Sequence, residues 1–471
     1  MKTGKIVGVM SLALLPLATS AQLYQDSSNS TAIAVRDPAR QASTDIDAVI
    51  YNPAGTAFLD EGWSFSLNSK CAYQEVNYSA FDMESKVVSR DIMPSVQAAF
   101  KKSGWTFSAS FANEGGNGNT LETKDPYLTY STQEGIDVFF PYNIKKTLSD
   151  HYIIDENRKL ETDAFVSGDL YNYAFRLGVS KQFSKMSAYL GVRLNYVSEK
   201  TTHKFYRWIG SGSNRYFPSD YFLDRVKNYS DSEDSQLISI MNELGKKPNN
   251  TSIKSPNFKG WGISPVIGID YRIKNLNFSA KYEFETKVHA NDEYESFTIP
   301  SVISLGSSWQ INKECKIAIG CNLSPVNYRK MYGSKQHTSY EDPELFFIPD
   351  SESPKSNLTN ELFCINTQKN GLSYDITASF TFLVSTRLTA SAGCSFGNRG
   401  FMCKSSYPLS LGEKPSWNDC FSTGLSYAIS KKATIDLGVN KSHITTKRHF
   451  SVLMLKDNER FTASAGIRLN M

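Results

Sequence analysis

Alternation of apolar and polar residues with a period of two recurs from Trp63 almost to the C-terminus of this 471-residue chain, and no other feature restricts the fold as strongly. In the first stretch Trp63, Phe65, Leu67, Cys71 and Tyr73 fall on one face, while Ser64, Ser66, Asn68, Lys70 and Gln74 fall on the other. Successive side chains of a strand point to opposite sides, so this is a strand with one apolar and one wet face. The pattern returns at 96–100, 105–111, 171–179, 186–196, 261–271, 276–284, 299–309, 317–323, 372–382, 388–396, 421–429, 435–439 and 461–469. Together these stretches predict about 14 strands, an even number, many near the roughly 9 to 11 residues that a tilted strand needs to cross a bilayer. No long helix is predicted between them.

The connections alternate in length. Short turns, mostly carrying Lys or Arg, lie at 101–104, 181–185, 272–275, 312–314, 383–386 and 430–432; longer excursions lie at 113–170, 199–259, 324–370, 397–418 and 441–459. Short turns at one end and long loops at the other describe an all-β, transmembrane antiparallel barrel of the outer-membrane type over residues 62–471. A soluble sandwich has no reason to keep that alternation. The charged strand residues Arg176, Arg193, Asp270, Lys281, Glu283, Asp375, Asp436, Arg460 and Arg468 all fall with the polar set. A Lys or Arg facing lipid at the midplane costs about 2 to 4 kcal/mol, so the charged face is predicted to line the lumen. Trp63, Trp105, Trp261 and Trp309 suit the interfacial aromatic girdles. The 51 basic and 47 acidic residues give +4, scattered along the chain, which argues against a nucleic-acid partner.

Residues 1–21 read as a secretion signal: Lys2 and Lys5, an apolar stretch from Ile6 to Leu17, then Thr19-Ser20-Ala21 as a small-residue cleavage site. Seven cysteines are an odd number, far from disulfide-scaffold density, and are expected to act as unpaired small hydrophobes; Cys403 and Cys420 flank one loop closely enough for a bridge.

Residues 22–61 alternate weakly and end in Asp45-Ile46-Asp47-Ala48-Val49-Ile50-Tyr51-Asn52-Pro53-Ala54-Gly55. Two readings fit: a disordered periplasmic tail, or a folded plug inside the lumen. Pro53 fixes its own φ and pushes Asn52 away from helix, Asn52 is suited to bonding its own backbone in a turn, and Gly55 admits a conformation closed to other residues. An exported segment bearing this Asn-Pro-Ala stretch, followed by about 14 alternating strands, resembles the FadL/TodX family of outer-membrane channels for hydrophobic compounds. The resemblance implies a monomeric barrel with an N-terminal hatch, in which Asn52, Pro53, Ala54 and Gly55 match the hatch motif. It also implies passive transport of hydrophobic or amphipathic molecules such as long-chain fatty acids, in the outer membrane of a Gram-negative bacterium. Its partners are then that small molecule, the surrounding lipid and lipopolysaccharide, and the barrel-assembly machinery. The C-terminal Ile467-Arg468-Leu469-Asn470-Met471 lacks the aromatic end that assembly signals usually carry.

Several expected loops are apolar. They include Val138-Phe139-Phe140-Pro141-Tyr142, and Leu237, Ile238, Met241 and Leu244 at helical spacing after a capping-box-like Ser230-x-x-Glu233. Phe139, Phe140, Leu237, Ile238 and Met241 are therefore candidate ligand-capture residues. Clean alternation in the third strand stops at Ala112, before Asn113-Glu114-Gly115-Gly116-Asn117-Gly118. Gly115, Gly116 and Gly118 are expected to kink the wall; in the FadL family a kinked third strand is associated with a lateral opening. All six histidines are assigned to loops, HExxH does not occur, the one GxSxG (Gly393-Cys394-Ser395-Phe396-Gly397) lies in an alternating strand stretch and not at a strand-to-helix turn, and no enzyme, cofactor or metal site is expected. A polar porin or adhesin barrel is the alternative reading, with a lipid hydrolase or protease behind it.

Overall fold

A computed structural model describes residues 30–80, 83–124, 160–211, 214–228, 238–239, 241–242, 250–254, 258–290, 297–326, 371–398, 417–445 and 453–471. Fourteen antiparallel wall strands close into a barrel. They are β1 (Gly62–Ala80), β2 (Met83–Lys102), β3 (Trp105–Lys124), β4 (Leu160–Phe183), β5 (Met186–Ser211), β6 (Phe258–Ile273) and β7 (Leu276–Glu283, resuming as Thr286–Ala290). Then follow β8 (Phe297–Ile299, resuming as Val302–Gln310), β9 (Cys315–Val326), β10 (Gly371–Leu383), β11 (Leu388–Asn398), β12 (Trp417–Ala428), β13 (Ala433–Thr445) and β14 (Leu453–Asn470). Each pairs with its neighbours, and β14 returns to β1, where Phe65 faces Leu469 and Tyr73 faces Phe461. A closed ladder leaves no edge unsatisfied in lipid. The missing aromatic terminus does not disturb it: Trp63 and Met471 exchange two backbone bonds, of 3.1 and 2.8 Å.

The faces follow the alternation. Leu190, Ile263 and Phe421 stand more than 60% exposed on the outer surface, whereas Arg176, Arg193, Asp270, Lys281, Glu283 and Asp436 are buried on the inner one. Lipid enforces this division only at bilayer height. Beyond it backbone pairing continues while the outer face meets water, so alternation fades before the strand ends. For that reason the expected loops 113–170 and 199–259 are strand at both ends, while β3 loses its alternation after Ala112 at a register irregularity and continues to Lys124. His203, His289 and His443 accordingly lie on β5, β7 and β13, not in loops.

Inside the barrel, residues 30–59 form helix α1 (Ala32–Arg36), helix α2 (Ala48–Tyr51) and a 3-10 turn (Pro53–Phe58), almost wholly buried. Between β5 and β6 two short strands (Asn214–Tyr216 and Asn250–Lys254) flank helix α3 (Pro218–Asn228). Pro218 opens α3 and Asp220 sits in its first turn, both favourable at a helix N-terminus.

Candidate functional site

The internal segment is cross-braced by its own charges. Buried Arg40 donates from Nε to Asp47 (2.7 Å), from Nη1 to Asp37 (2.9 Å) and from Nη2 to Asp45 (2.7 Å) and Ser43 (2.6 Å). Burial works against its charge, but Asp47, Asp37 and Asp45 outweigh that and hold the guanidinium well above the ordinary arginine range. Arg36 reaches outward instead, donating to Ser391 Oγ (2.7 Å) and to Asp436 (3.2 Å), which Arg468 also holds at 2.7 Å. Further ties run round the circumference. Ser95 donates to Ser30 O, Asn277 to Ala42 O, Lys281 to Ile50 O, Ser187 to Ala54 O and Lys101 to Leu59 O, all at 2.6–3.1 Å.

Asn52, Pro53, Ala54 and Gly55 lie at the centre of this contact. Pro53 opens the 3-10 turn and Asn52 has φ −144°, outside the helical region as an X-Pro residue should be. The Asn52 side chain does not bond its own backbone. Its Nδ2 donates to Ser43 O (2.9 Å) and to the carboxylate of Asp270 on β6, joining segment to wall. Gly55 is not in the left-handed region. It is glycine for want of space, since a Cβ would stand 2.3 Å from Ser43 O and 2.5 Å from Asn52 Nδ2. The wall provides similar seats: a Cβ on Gly306 would lie 2.5 Å from Ala42 N, and one on Gly438 2.8 Å from Ala32 O.

The wall is irregular at β3. Ala112 pairs with Ser95 and Asn119 with Arg90, so β3 spends seven steps where β2 spends five, and residues 91–94 have no rung to 113–118. On the other side Ala112 pairs with Ala174 and Gly118 with Leu170, six steps against four. β3 therefore carries two extra residues relative to both neighbours, at Gly115, Gly116 and Gly118, where glycine tolerates a bulge. Inward-facing Met93, Ala112, Leu170, Ala174 and Val197 put apolar side chains into the adjoining lumen wall, interleaved with polar Ser95, Asn172 and Asn195, while inward positions of β10 to β14 are mainly Ser and Thr.

Next to the irregularity lies a buried charge cluster. Glu114 pairs with Arg176; Glu283 pairs with Arg176 (3.2 Å), with Lys281 (2.6 Å) and with Arg193. A bulge at Phe284 and Glu285 lets Glu283 and Thr286, three apart, both face inward, and Thr286 accepts from Arg193 at 3.0 Å. The cluster holds three cations against two carboxylates.

No protein-family model and no curated protein matches the chain. Solved structures do. The deltaS2S3 mutant of the TodX monoaromatic hydrocarbon channel aligns over 94% of this chain and 99% of its own, with TM-score 0.55 and 14% identity. The Pseudomonas putida toluene transporter TodX aligns over 91% and 95% (TM-score 0.51, 14% identity), and a Pseudomonas aeruginosa FadL homologue over 93% and 98% (TM-score 0.52, 9% identity). The chain has the FadL/TodX fold. At such identity the likeness speaks to architecture, so residue roles in this FadL-type barrel rest on its own geometry.

Of the remaining sequence candidates, Ile238 and Met241 are helical and Met241 is fully buried; Phe139, Phe140 and Leu237 lie outside the described residues. Among the described residues Cys71, Cys315, Cys321, Cys394 and Cys420 are free, so Cys420 does not bridge the loop; Cys403 is outside them. Arg36, Arg40, Glu114 and the glycine seats were not picked out from sequence. One signal was available, since several consecutive strands place a glycine on the inward face, where closely approaching backbone leaves no room for a side chain.

Proposed function

We propose that this FadL-type barrel is a passive outer-membrane channel for hydrophobic or amphipathic small molecules, long-chain fatty acids among them, acting as a monomer in a Gram-negative bacterium. The observation that carries the reading is the pair of extra residues in β3. They leave β2 and β3 without rungs over 91–94 beside a sector of lumen that carries apolar Met93, Leu170 and Val197, while residues 30–59 fill the axial route. Ligand is caught at the long-loop end by Phe139, Phe140, Leu237, Ile238 and Met241, passes the apolar sector and leaves sideways at Gly115, Gly116 and Gly118. The hatch, residues 22–61, with Asn52, Pro53, Ala54 and Gly55 as its wall contact, keeps water-soluble solutes from following. The three buried cations beside the opening support an amphipathic ligand with an anionic head. No cofactor or energy source enters.

Deleting Gly115 and Gly116 tests this. The deletion removes the two extra residues, preserves inward–outward parity and brings β3 back into register with residues 90–95 of β2 and 170–174 of β4. Uptake of a long-chain fatty acid into proteoliposomes is expected to fall to that of protein-free vesicles, with amide exchange at 91–93 slowed as the rungs form. Slowed exchange with unchanged uptake overturns the lateral route.

A further inference from the structure

The six hairpin turns at the short-turn end, 101–104, 181–185, 272–275, 311–314, 384–387 and 429–432, hold ten Lys or Arg and one carboxylate, Glu314. Three of the ten are used by the protein. Lys101 donates to Leu59 O, Arg272 lies 3.9 Å over the Phe58 ring, and Lys181 lies 4.5 Å over the Trp105 ring. The other seven, Lys102, Lys185, Lys274, Lys313, Arg387 and the pair Lys431 and Lys432, are exposed, with no ion pair among the described residues. Among the described residues Asp60, Glu61 and Glu314 are the exposed acids at this end. Higher on the wall, some outward cations have partners, Lys86 meeting Glu75 at 2.6 Å and Lys441 meeting Glu459 at 3.0 Å, while Lys200, Lys259 and Lys287 are exposed with no ion pair among the described residues.

Immediately above these turns stands a belt of exposed aromatics, among them Trp63, Trp105, Phe183, Trp309 and Tyr427. Such belts mark headgroup depth, so the cations lie where phosphates of the adjoining leaflet lie. They occur on every hairpin turn round the barrel and form no one-sided patch. A docked protein touches one sector, whereas a lipid leaflet surrounds the whole rim. We propose that the short-turn rim is a cationic collar that binds phospholipids with net negative headgroups in the leaflet at that end. Short turns face the periplasm in outer-membrane barrels, which makes this the periplasmic leaflet. The proposal does not rest on what the barrel transports.

The test uses the full mature chain in nanodiscs of phosphatidylcholine with a minor fraction of phosphatidylglycerol, followed by mass spectrometry of the lipids retained after detergent extraction. Phosphatidylglycerol is expected to be enriched over bulk about threefold at low salt, with the enrichment lost in molar salt. The variant carrying Gln at all seven exposed positions, folded by the heat-modifiable gel shift, is expected to show none. Should it misfold, Lys431→Glu with Lys432→Glu reverses one turn only and is expected to lower the enrichment in part. Enrichment absent from the wild type, or undiminished in either folded variant, overturns the collar. Lysine-dependent capture of the detergent-solubilised barrel by purified cell-wall sacculi, without lipid enrichment, overturns it in favour of an anionic macromolecule.

Discussion

At the scale of single residues, the internal segment owes its shape to Arg40. One guanidinium satisfies Asp37, Asp45 and Asp47, two of them fully enclosed, so the short helices α1 and α2 are fixed relative to each other. Helices of five and four residues have no stability of their own. Removing one partner of a buried ion pair leaves uncompensated charge and costs about 3 to 5 kcal/mol, far more than the pair itself contributes. Arg40→Met is therefore expected to loosen the segment from within while leaving the wall intact. Planar-bilayer recordings check this: brief openings that pass small ions should appear, with the gel shift of the folded barrel unchanged. Arg40→Lys keeps the charge but not the planar fork, and its opening frequency should fall between the two. A silent Arg40→Met channel would show that the wall contacts alone hold the segment.

At the scale of elements, wall and internal segment were legible to different degrees for one physical reason. Bilayer and lumen impose opposite polarities on the two faces of a strand, and this writes a period of two into every wall segment; all fourteen were readable, from Trp63 to Leu469. Residues 30–59 meet a different wall residue at almost every step, Ser95 at one place and Asp270 at another, so no period is written there. The Asn-Pro-Ala stretch drew notice, but the reason for Gly55 was not readable, because crowding by Ser43 O comes from nine or more residues of chain folding back. Gly438 tests the seat idea. In a strand interior glycine is unfavourable, so Gly438→Val should strengthen β13 itself. Its new side chain would nevertheless meet Ala32 O and Arg36 N, backbone that cannot swing aside. The expected result is a barrel of undiminished thermal stability in which a protease at the short-turn end cuts the displaced segment faster. Slower cutting would mean that α1 does not rest on that glycine.

For the molecule as a whole, wall and filling separate thermodynamically. Every wall strand is paired on both sides and β14 closes on β1, so apart from the rungs missing between 91–94 and 113–118 the backbone demand of the membrane is met without residues 30–59. The inner face is mainly Ser, Thr and Asn with ion pairs made within the wall, Glu283 with Arg193 and Asp436 with Arg468, the latter keeping a partner when Arg36 is removed. Water can wet most of such a face, the apolar side chains beside β3 excepted. Deleting residues 22–61 should therefore leave a folded barrel and remove what fills its lumen. The intact protein is expected to be closed to small sugars in liposome swelling and to show little steady conductance, whereas the deletion should admit sugars and conduct steadily. Uptake of hydrophobic ligand is expected to survive the deletion, because the missing rungs beside Gly115 and Gly116 belong to the wall. If the intact barrel already passes sugars freely, the lumen is a water-filled pore despite its filling, and the chain is a polar porin.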